Sequence, residues 1–248
     1  MKNLLVSLAI GEKYINEYNN LFFKSQLNYA RKHSYDFKLV KERPDGTINH
    51  PDTISFDKAL VFSQDWVMDY DNVIFIDADI FINPNSPPIH KEIADTNKIM
   101  VVDEYSQPTQ HERINVQKKM GWETSAVDYY DLAGFSIRTN KMINSGVIMM
   151  NPNLHGKFMK SIHFKYHLRS INHPRGFHFE QSAIGYEIQK ENLADYLDNK
   201  FNAVWGIYKI SDPAMSLKDF AEKNYFIHLA GKVDFDKVSE LNLLFNLN

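Results

Sequence analysis

The run VIFIDADIF, residues 73 to 81, constrains this chain more than any other stretch. Val73 to Ile76 is continuously apolar and ends on a carboxylate, Asp77, with Asp79 two residues further on. A short unbroken apolar run suits a strand buried on both faces, as in parallel sheets covered by helices. In extended chain, residues two apart point the same way, so Asp77 and Asp79 converge on one cation if that geometry persists past the strand end. Ligands of open α/β sheets bind at the carboxyl ends of strands. Hard divalent cations take oxygen ligands, and magnesium is commonly held by one or two carboxylates plus substrate phosphates. The plain alternative is a pair of solvated turn residues or helix caps. Asp-x-Asp alone does not decide between the two.

The surrounding pattern alternates. Leu4 to Ile10 reads as a buried strand, about Tyr14 to Lys32 as a helix, and Phe37 to Val40 as a second strand. Pro44-Asp45-Gly46 marks a turn, and a helix is expected from about Ser55 to Asp69 with Ser55 as its N-cap. Pro84, Pro87 and Pro88 forbid regular pairing after the carboxylates, and Ile99 to Val102 is a further strand. Strand and helix in alternation predict an open α/β sheet. Asp103 to Lys141 is polar and weakly periodic, with room for one or two short helices. Gly146 to Met150 returns to the sheet, Phe158 to Arg169 and Gln181 to Leu197 read as helices, and Tyr225 to Leu229 as a late strand.

At 248 residues with no Pro/Gly/Ser-rich linker, a single domain is expected. There is no cysteine, which excludes a disulfide framework and a thiolate zinc site. A net charge of −3 with no aromatic-interleaved basic stripe gives no support to nucleic-acid binding. The apolar start is too short for a secretory signal, and no stretch approaches the ~20 apolar residues that span a bilayer. The expectation is a cytoplasmic protein with at most peripheral membrane contact; its oligomeric state is open. Neither a Walker A sequence nor Gly-x-Gly-x-x-Gly is present. His163 and His167 share a helix face, but Phe164 stands where a metalloprotease needs Glu, so a packed or solvated pair is expected. The His-rich run from His155 to His178 contains a Pro174-Arg175-Gly176 turn and reads as a loop there.

Other motifs flank the carboxylates in a fixed order. LAIGEKYINEY carries Ala9 and Tyr14; SFDKALVF carries Lys58; IFIDADIFIN carries Asp77, Ala78 and Asp79. INSGVIMMNP then supplies Asn144, Ser145 and Gly146, HFEQSAIG supplies Glu180 and Gln181, and YFIHLAGK supplies His228, Gly231 and Lys232. Together, from Leu8 to Lys232, they resemble the retaining glycosyltransferases of the GT-A fold. The likeness is strongest to the glycogenin and lipopolysaccharide-galactosyltransferase group, and extends to the yeast and plant galactosyl-, mannosyl- and xylosyltransferases.

That resemblance implies a Rossmann-like, mostly parallel sheet flanked by helices in one domain. Residues 1–102 would form a nucleotide-binding half, and 103–248 an acceptor-binding half with a donor lid. It implies a UDP-sugar donor, a glycan or other hydroxyl acceptor, and manganese or magnesium held by Asp77, Asp79 and His228. Tyr14 would stack on uracil beside Ala9, Lys58 would reach the donor, and Asn144, Ser145 and Gly146 would line the sugar pocket. Gly231 and Lys232 would meet the diphosphate. Glu180 or Gln181 would sit beneath the sugar, as nucleophile or as stabiliser of an oxocarbenium-like state. Two departures stand out: the chain reads GKVDF where the glycogenin group continues Gly-x-x-Lys-Pro-Trp, and 103–141 has no counterpart. Acceptor specificity is expected in that stretch. Two other readings compete. Haloacid-dehalogenase-like phosphatases also place Asp-x-Asp after a strand, but they typically have Thr or Val where this chain has Phe81. A non-catalytic nucleotide-sugar-binding protein on the same scaffold is the other.

Overall fold

The computed structural model describes residues 1–44 and 50–247, with Phe177 described by its backbone only. The expected turn at Pro44-Asp45-Gly46 falls mainly outside the described residues. The N-terminal part alternates as the pattern requires: β1 (Asn3–Leu8), α1 (Glu12–Leu21), α2 (Phe23–Lys32), β2 (Asp36–Val40), α3 (Asp57–Val61), β3 (Asn72–Asp77), β4 (Ile80–Ile82) and β5 (Ile99–Asp103). The polar stretch that follows contains two helices, α4 (Gln110–Met120) and α5 (Ala126–Leu132). Then come β6 (Ile143–Met150), α6 (Pro152–Tyr166), α7 (Phe179–Lys190), β7 (Ala194–Tyr196) and β8 (Ala203–Val204). The chain closes with α8 (Trp205–Ser211), α9 (Leu217–Lys223), β9 (Phe226–His228) and α10 (Val238–Leu244).

Six strands form the central sheet in the order β2-β1-β3-β6-β5-β7. β1 pairs in parallel with β2 and β3, and β5 with β7, while β6 runs antiparallel to both its neighbours, β3 and β5. The mostly parallel α/β sheet is therefore present, with β6 as its reversed strand. Successive side chains of a strand face opposite sides. Leu4, Val6, Val73, Phe75, Ile99, Val101, Ile148 and Met150 enter one core layer. Leu5, Ile74, Ile76, Met100, Val102, Val147 and Met149 enter the other. Burial on both faces is what makes these strands continuous apolar runs in the sequence. A second sheet of three short strands, β4-β9-β8, packs over a third core around Phe81, Trp205, Phe220 and Ile227. Among the described residues, no helix is long and apolar enough to cross a membrane.

Several element boundaries differ from the sequence pattern, each for a local reason. The single helix expected from Tyr14 to Lys32 is two helices that meet at Phe22 (φ −114°), whose buried ring packs on Phe235 with centroids 5.3 Å apart. Beyond the break, Ser25 accepts from the Ile82 amide (3.2 Å) and Gln26 donates to the Ile80 carbonyl (2.8 Å). Polar side chains of α2 thereby satisfy the free edge of β4, whose pairing the nearby prolines had argued against. The expected helix from Ser55 to Asp69 is a 3₁₀ turn (Pro51–Phe56), the short α3 and another 3₁₀ turn (Asp65–Val67). Ser55 does not cap it: its hydroxyl is buried without a hydrogen-bond partner among the described residues, and the His50 ring accepts from the Asp52 amide instead. Ser63 and Gln64 both donate to the Leu60 carbonyl, 3.0 Å each, and end α3.

β6 starts at Ile143 rather than Gly146, so Asn144, Ser145 and Gly146 lie within the strand and not in a turn before it. α6 begins earlier than expected because Asn151 caps it and Pro152 occupies its first position. The helix expected to run to Leu197 stops at Lys190; Asn192 takes φ +53° and the chain turns into β7 beside β5. α4 lacks an apolar stripe because it buries Arg113 and Gln117 beside Val116, which explains the weak periodicity of its sequence.

Candidate metal and donor site

The carboxyl ends of β1 and β3 lie side by side, with Leu8 in register with Asp77. β2 lies on one side of β1, and β3, the next strand in the chain, lies on the other; ligands of such sheets bind at the carboxyl ends where the strand order switches sides. Asp77 ends β3 and Asp79 sits in the turn to β4. β4 pairs with β9 in the register Ile80↔His228, and the Leu229 amide donates to the Asp79 carbonyl at 3.0 Å. That pairing delivers His228 to the carboxylates: its Nε2 lies 3.3 Å from Asp79 Oδ1 and 4.0 Å from Asp77 Oδ2. One ligand atom from each of the three lies within 4.8 Å of the others.

The trio fits a divalent cation on its own chemistry. It offers two hard carboxylate oxygens and one imidazole nitrogen, and three protein ligands leave positions for phosphate oxygens and water. His228 Nδ1 is already engaged, 2.9 Å from Asn202 Oδ1, so Nε2 is the nitrogen left for a metal. Gly146 makes the room, because a Cβ there would lie 2.6 Å from His228 Cε1.

Charges at the site are strongly interdependent. Burial raises the Asp77 carboxyl, and Asp79 adds to the rise against the opposing pull of Lys58. Burial also acts to raise Asp79, but the His228 imidazole outweighs it and holds that carboxyl below its ordinary range. His228 is affected in the opposite sense: burial disfavours its charge, and Asp79 prevails and raises its pKa.

Beside the trio, α3 inserts Lys58, which is buried. Its Nζ lies 2.8 Å from Asp77 Oδ1 and 3.0 Å from Glu180 Oε1, at the first turn of α7. Burial works against the ammonium, yet Asp77 and Glu180 more than compensate and hold Lys58 above its ordinary range. Ser145 of β6 donates to the same Glu180 oxygen at 2.5 Å. Close packing of α3 on α6 sets the position of Lys58: Gly156 lies so near the Phe62 carbonyl that a Cβ would come within 2.4 Å of its oxygen. Gln181 points to a different group of residues, donating to Tyr129 Oη at 3.1 Å and Glu104 Oε2 at 3.4 Å.

Most of the predicted residues thus fall into two places. Lys58, Asp77, Asp79, Ser145, Gly146, Glu180 and His228 meet at the sheet's carboxyl end, with Asn144 just behind. Tyr14, Gly231 and Lys232 form a separate surface arrangement. Gly231 (φ +73°) and Lys232 (φ +62°) turn sharply, and Lys232 Nζ lies 2.5 Å from Glu17 Oε2 and 5.4 Å from the centre of the exposed Tyr14 ring. Ala9 is buried in the third core with its amide donating to the Val40 carbonyl at 3.0 Å, and Ala78 packs against the same core. His163 and His167 are a buried pair stacked 4.4 Å apart, with His163 Nε2 3.5 Å from Asp57 Oδ1. In the His-rich loop, Arg175 lies over the Tyr129 ring at 4.1 Å and His173 stacks on Phe179 at 4.3 Å.

The sequence pattern did not single out Glu104, Arg113, Tyr129 or Asn202. Glu104 carried a usable signal, since it directly follows β5 as a buried carboxylate at a strand's carboxyl end. Asn202 carried none: it lies in a 3₁₀ turn before a two-residue strand.

No sequence-family model matches the chain, and no curated protein sequence matches it. Solved structures do. A glycosyltransferase involved in glycosylation of the major capsid of PBCV-1 aligns with a TM-score of 0.63 at 13% identity, over 98% of this chain and 100% of that one. The galactosyltransferase LgtC, solved with donor and acceptor sugar analogs, aligns at 0.59 and 10% identity over 96% of this chain and 94% of its own. The bifunctional glycosyltransferase WbbM aligns at 0.62 and 15% identity, with 96% of this chain covering 49% of that one. A likeness at such low identity concerns the fold, and it does not favour the phosphatase alternative. From end to end, this chain has the GT-A fold of the glycosyltransferases it resembles.

Proposed function

We propose that this protein transfers a hexose or pentose from a UDP-sugar to a hydroxyl of a glycan or other acceptor, with retention at the anomeric carbon. The observation that carries the reading is the convergence of Asp77, Asp79 and His228, from two separate strand ends, directly beside the Lys58–Glu180 pair. Manganese or magnesium held by the trio would neutralise charge on the departing diphosphate. The nucleotide half would be residues 1–102, with Tyr14 stacking on the base and Ala9 beside it. Lys232 would leave Glu17 to meet the diphosphate. Residues 103–248 would bind the acceptor and close over the donor.

Within that reading, Lys58 and Ser145 fix Glu180 by way of Oε1. A carboxylate so held is positioned beneath the sugar, where negative charge stabilises an oxocarbenium-like centre or attacks it. Asn144, Ser145 and Gly146 would line the sugar pocket, and Gln181 would border its other side. The test is a calorimetric and thermal-shift screen of UDP and UDP-sugars with and without Mn²⁺. Mn²⁺-dependent stabilisation by a UDP compound is expected; no stabilisation by any of them refutes the assignment. NMR of the early product then reads the anomer, and an inverted linkage would recast Glu180 as a general base.

A further inference from the structure

A line of hydrogen bonds runs from α4 to the candidate metal ligand, and its polarity is fixed at the far end. Arg113 Nη2 donates to Glu104 Oε1 at 2.6 Å, and both side chains are buried. Ionised Glu104 can only accept. Asn144 therefore turns its Nδ2 to Glu104 Oε2, at 2.7 Å. A second group of fixed polarity agrees: the backbone amide of Gly146 donates to Asn144 Oδ1 at 2.8 Å. Asn202 must then present Nδ2 to Asn144 Oδ1, also at 2.8 Å. That leaves Asn202 Oδ1 facing His228 Nδ1 at 2.9 Å, a contact that is a hydrogen bond only if Nδ1 carries the proton.

We infer that the Arg113–Glu104–Asn144–Asn202 line sets the tautomer of His228, keeping hydrogen on Nδ1 and turning Nε2 toward a cation at Asp77 and Asp79. These four are positioning residues for the metal ligand, and the inference builds on the metal site of the proposed function. Metal-binding histidines are commonly oriented in this way by an outer partner on the other ring nitrogen. What is distinctive here is that the partner is an amide, which can present either end. Its orientation is decided through Asn144 by the buried Glu104 carboxylate together with the Gly146 amide. Glu104 also accepts from Gln181 at 3.4 Å, so the same carboxylate meets both halves of the site.

Glu104→Gln removes the fixed acceptor at the source: a neutral amide facing Asn144 can present either end, and the Gly146 amide is then what still orients Asn144. Asn202→Leu cuts the line at the histidine. Long-range ¹H–¹⁵N correlation on histidine-labelled protein, assigned with His228→Gln, reads the ring directly. A protected Nδ1–H beside a bare Nε2 is expected in the metal-free protein at a pH where the ring is neutral, and a protected Nδ1–H with Mg²⁺ added; the protection is lost in Asn202→Leu and weakened in Glu104→Gln. A bare Nδ1 in the wild-type protein, or unchanged protection in both variants, overturns the inference. Calorimetric Mn²⁺ titration gives the second readout: roughly tenfold or greater weakening is expected in each variant that keeps the wild-type circular dichroism. Affinity within twofold of wild type in both variants also overturns it. If the wild-type protein binds neither ion, the metal reading falls, while the metal-free spectrum still decides the tautomer.

Discussion

Gly146 lies directly against His228: a Cβ at that position would come within 2.6 Å of the imidazole Cε1 and 2.9 Å of Nδ1. The glycine's φ is unexceptional, so its value here is space rather than backbone freedom. Asn202 fixes the ring from one side and the carboxylates lie on the other, leaving little scope for it to move aside. Gly146→Ala is therefore expected to destabilise the fold by about 1–3 kcal/mol through overpacking, and to weaken Mn²⁺ binding. Urea unfolding and calorimetry on the same sample check both; a variant with wild-type stability and affinity would contradict the packing described here.

Lys58 is the cation shared by two carboxylates, Asp77 and Glu180. Replacing it with Met leaves the buried Glu180 with Ser145 as its remaining partner at this site. Breaking a buried ion pair from one side costs several kcal/mol, and about 3 kcal/mol is expected here because Asp77 is partly open to solvent. The urea midpoint should fall accordingly. An unchanged midpoint would mean that the pair is not formed in solution.

Asp79 offers the contrasting case. It lies in a turn and is partly exposed, and its charge is balanced chiefly by His228. Asp79→Ala should retain the wild-type fold by circular dichroism yet lose Mn²⁺-dependent thermal stabilisation. UDP release should drop by at least roughly a hundredfold, since a cation's stabilisation of developing charge is worth several kcal/mol. Turnover near wild type would remove the metal role.

Glu104 gives a pH-dependent expectation. Burial alone would raise its carboxyl, but Arg113 and Asn144 more than compensate and hold it below the ordinary range. A carboxyl depressed in the folded state stabilises above its unfolded pKa of about 4.3, and that contribution is lost as pH falls through the folded value. The stability gap between wild type and Glu104→Gln should be constant near neutrality and shrink as pH drops below about 4.3. A gap that does not change down to the acid transition would show that the Glu104 carboxyl is not depressed in the native protein.

Much of the fold was legible because the central strands are buried on both faces. That condition writes itself into the chain as short apolar runs, as at Val73 to Ile76 and Ile99 to Val102. The strands that escaped notice, β4, β7 and β8, are two or three residues long and carry no period to detect, and the missed helices α8, α9 and α10 are seven residues each, barely two turns. Helix limits misled where side chains acted on backbone groups: Ser63 and Gln64 end α3, and Ser25 and Gln26 attend to the edge of β4.

For the site, the sequence by itself determined the carboxylate pair at a strand end, the order of the motifs and the kind of sheet that carries them. These are local properties, set by which residues are apolar and how they are spaced. Only the tertiary structure decided that His228 faces Asp79, through the β4–β9 register, and that Lys58 joins Asp77 to Glu180. It alone placed Arg113, Glu104, Asn144 and Asn202 in one line behind the histidine. Hydrogen-bond polarity passes through space between residues far apart in the chain, and no spacing in the sequence records which of them will touch.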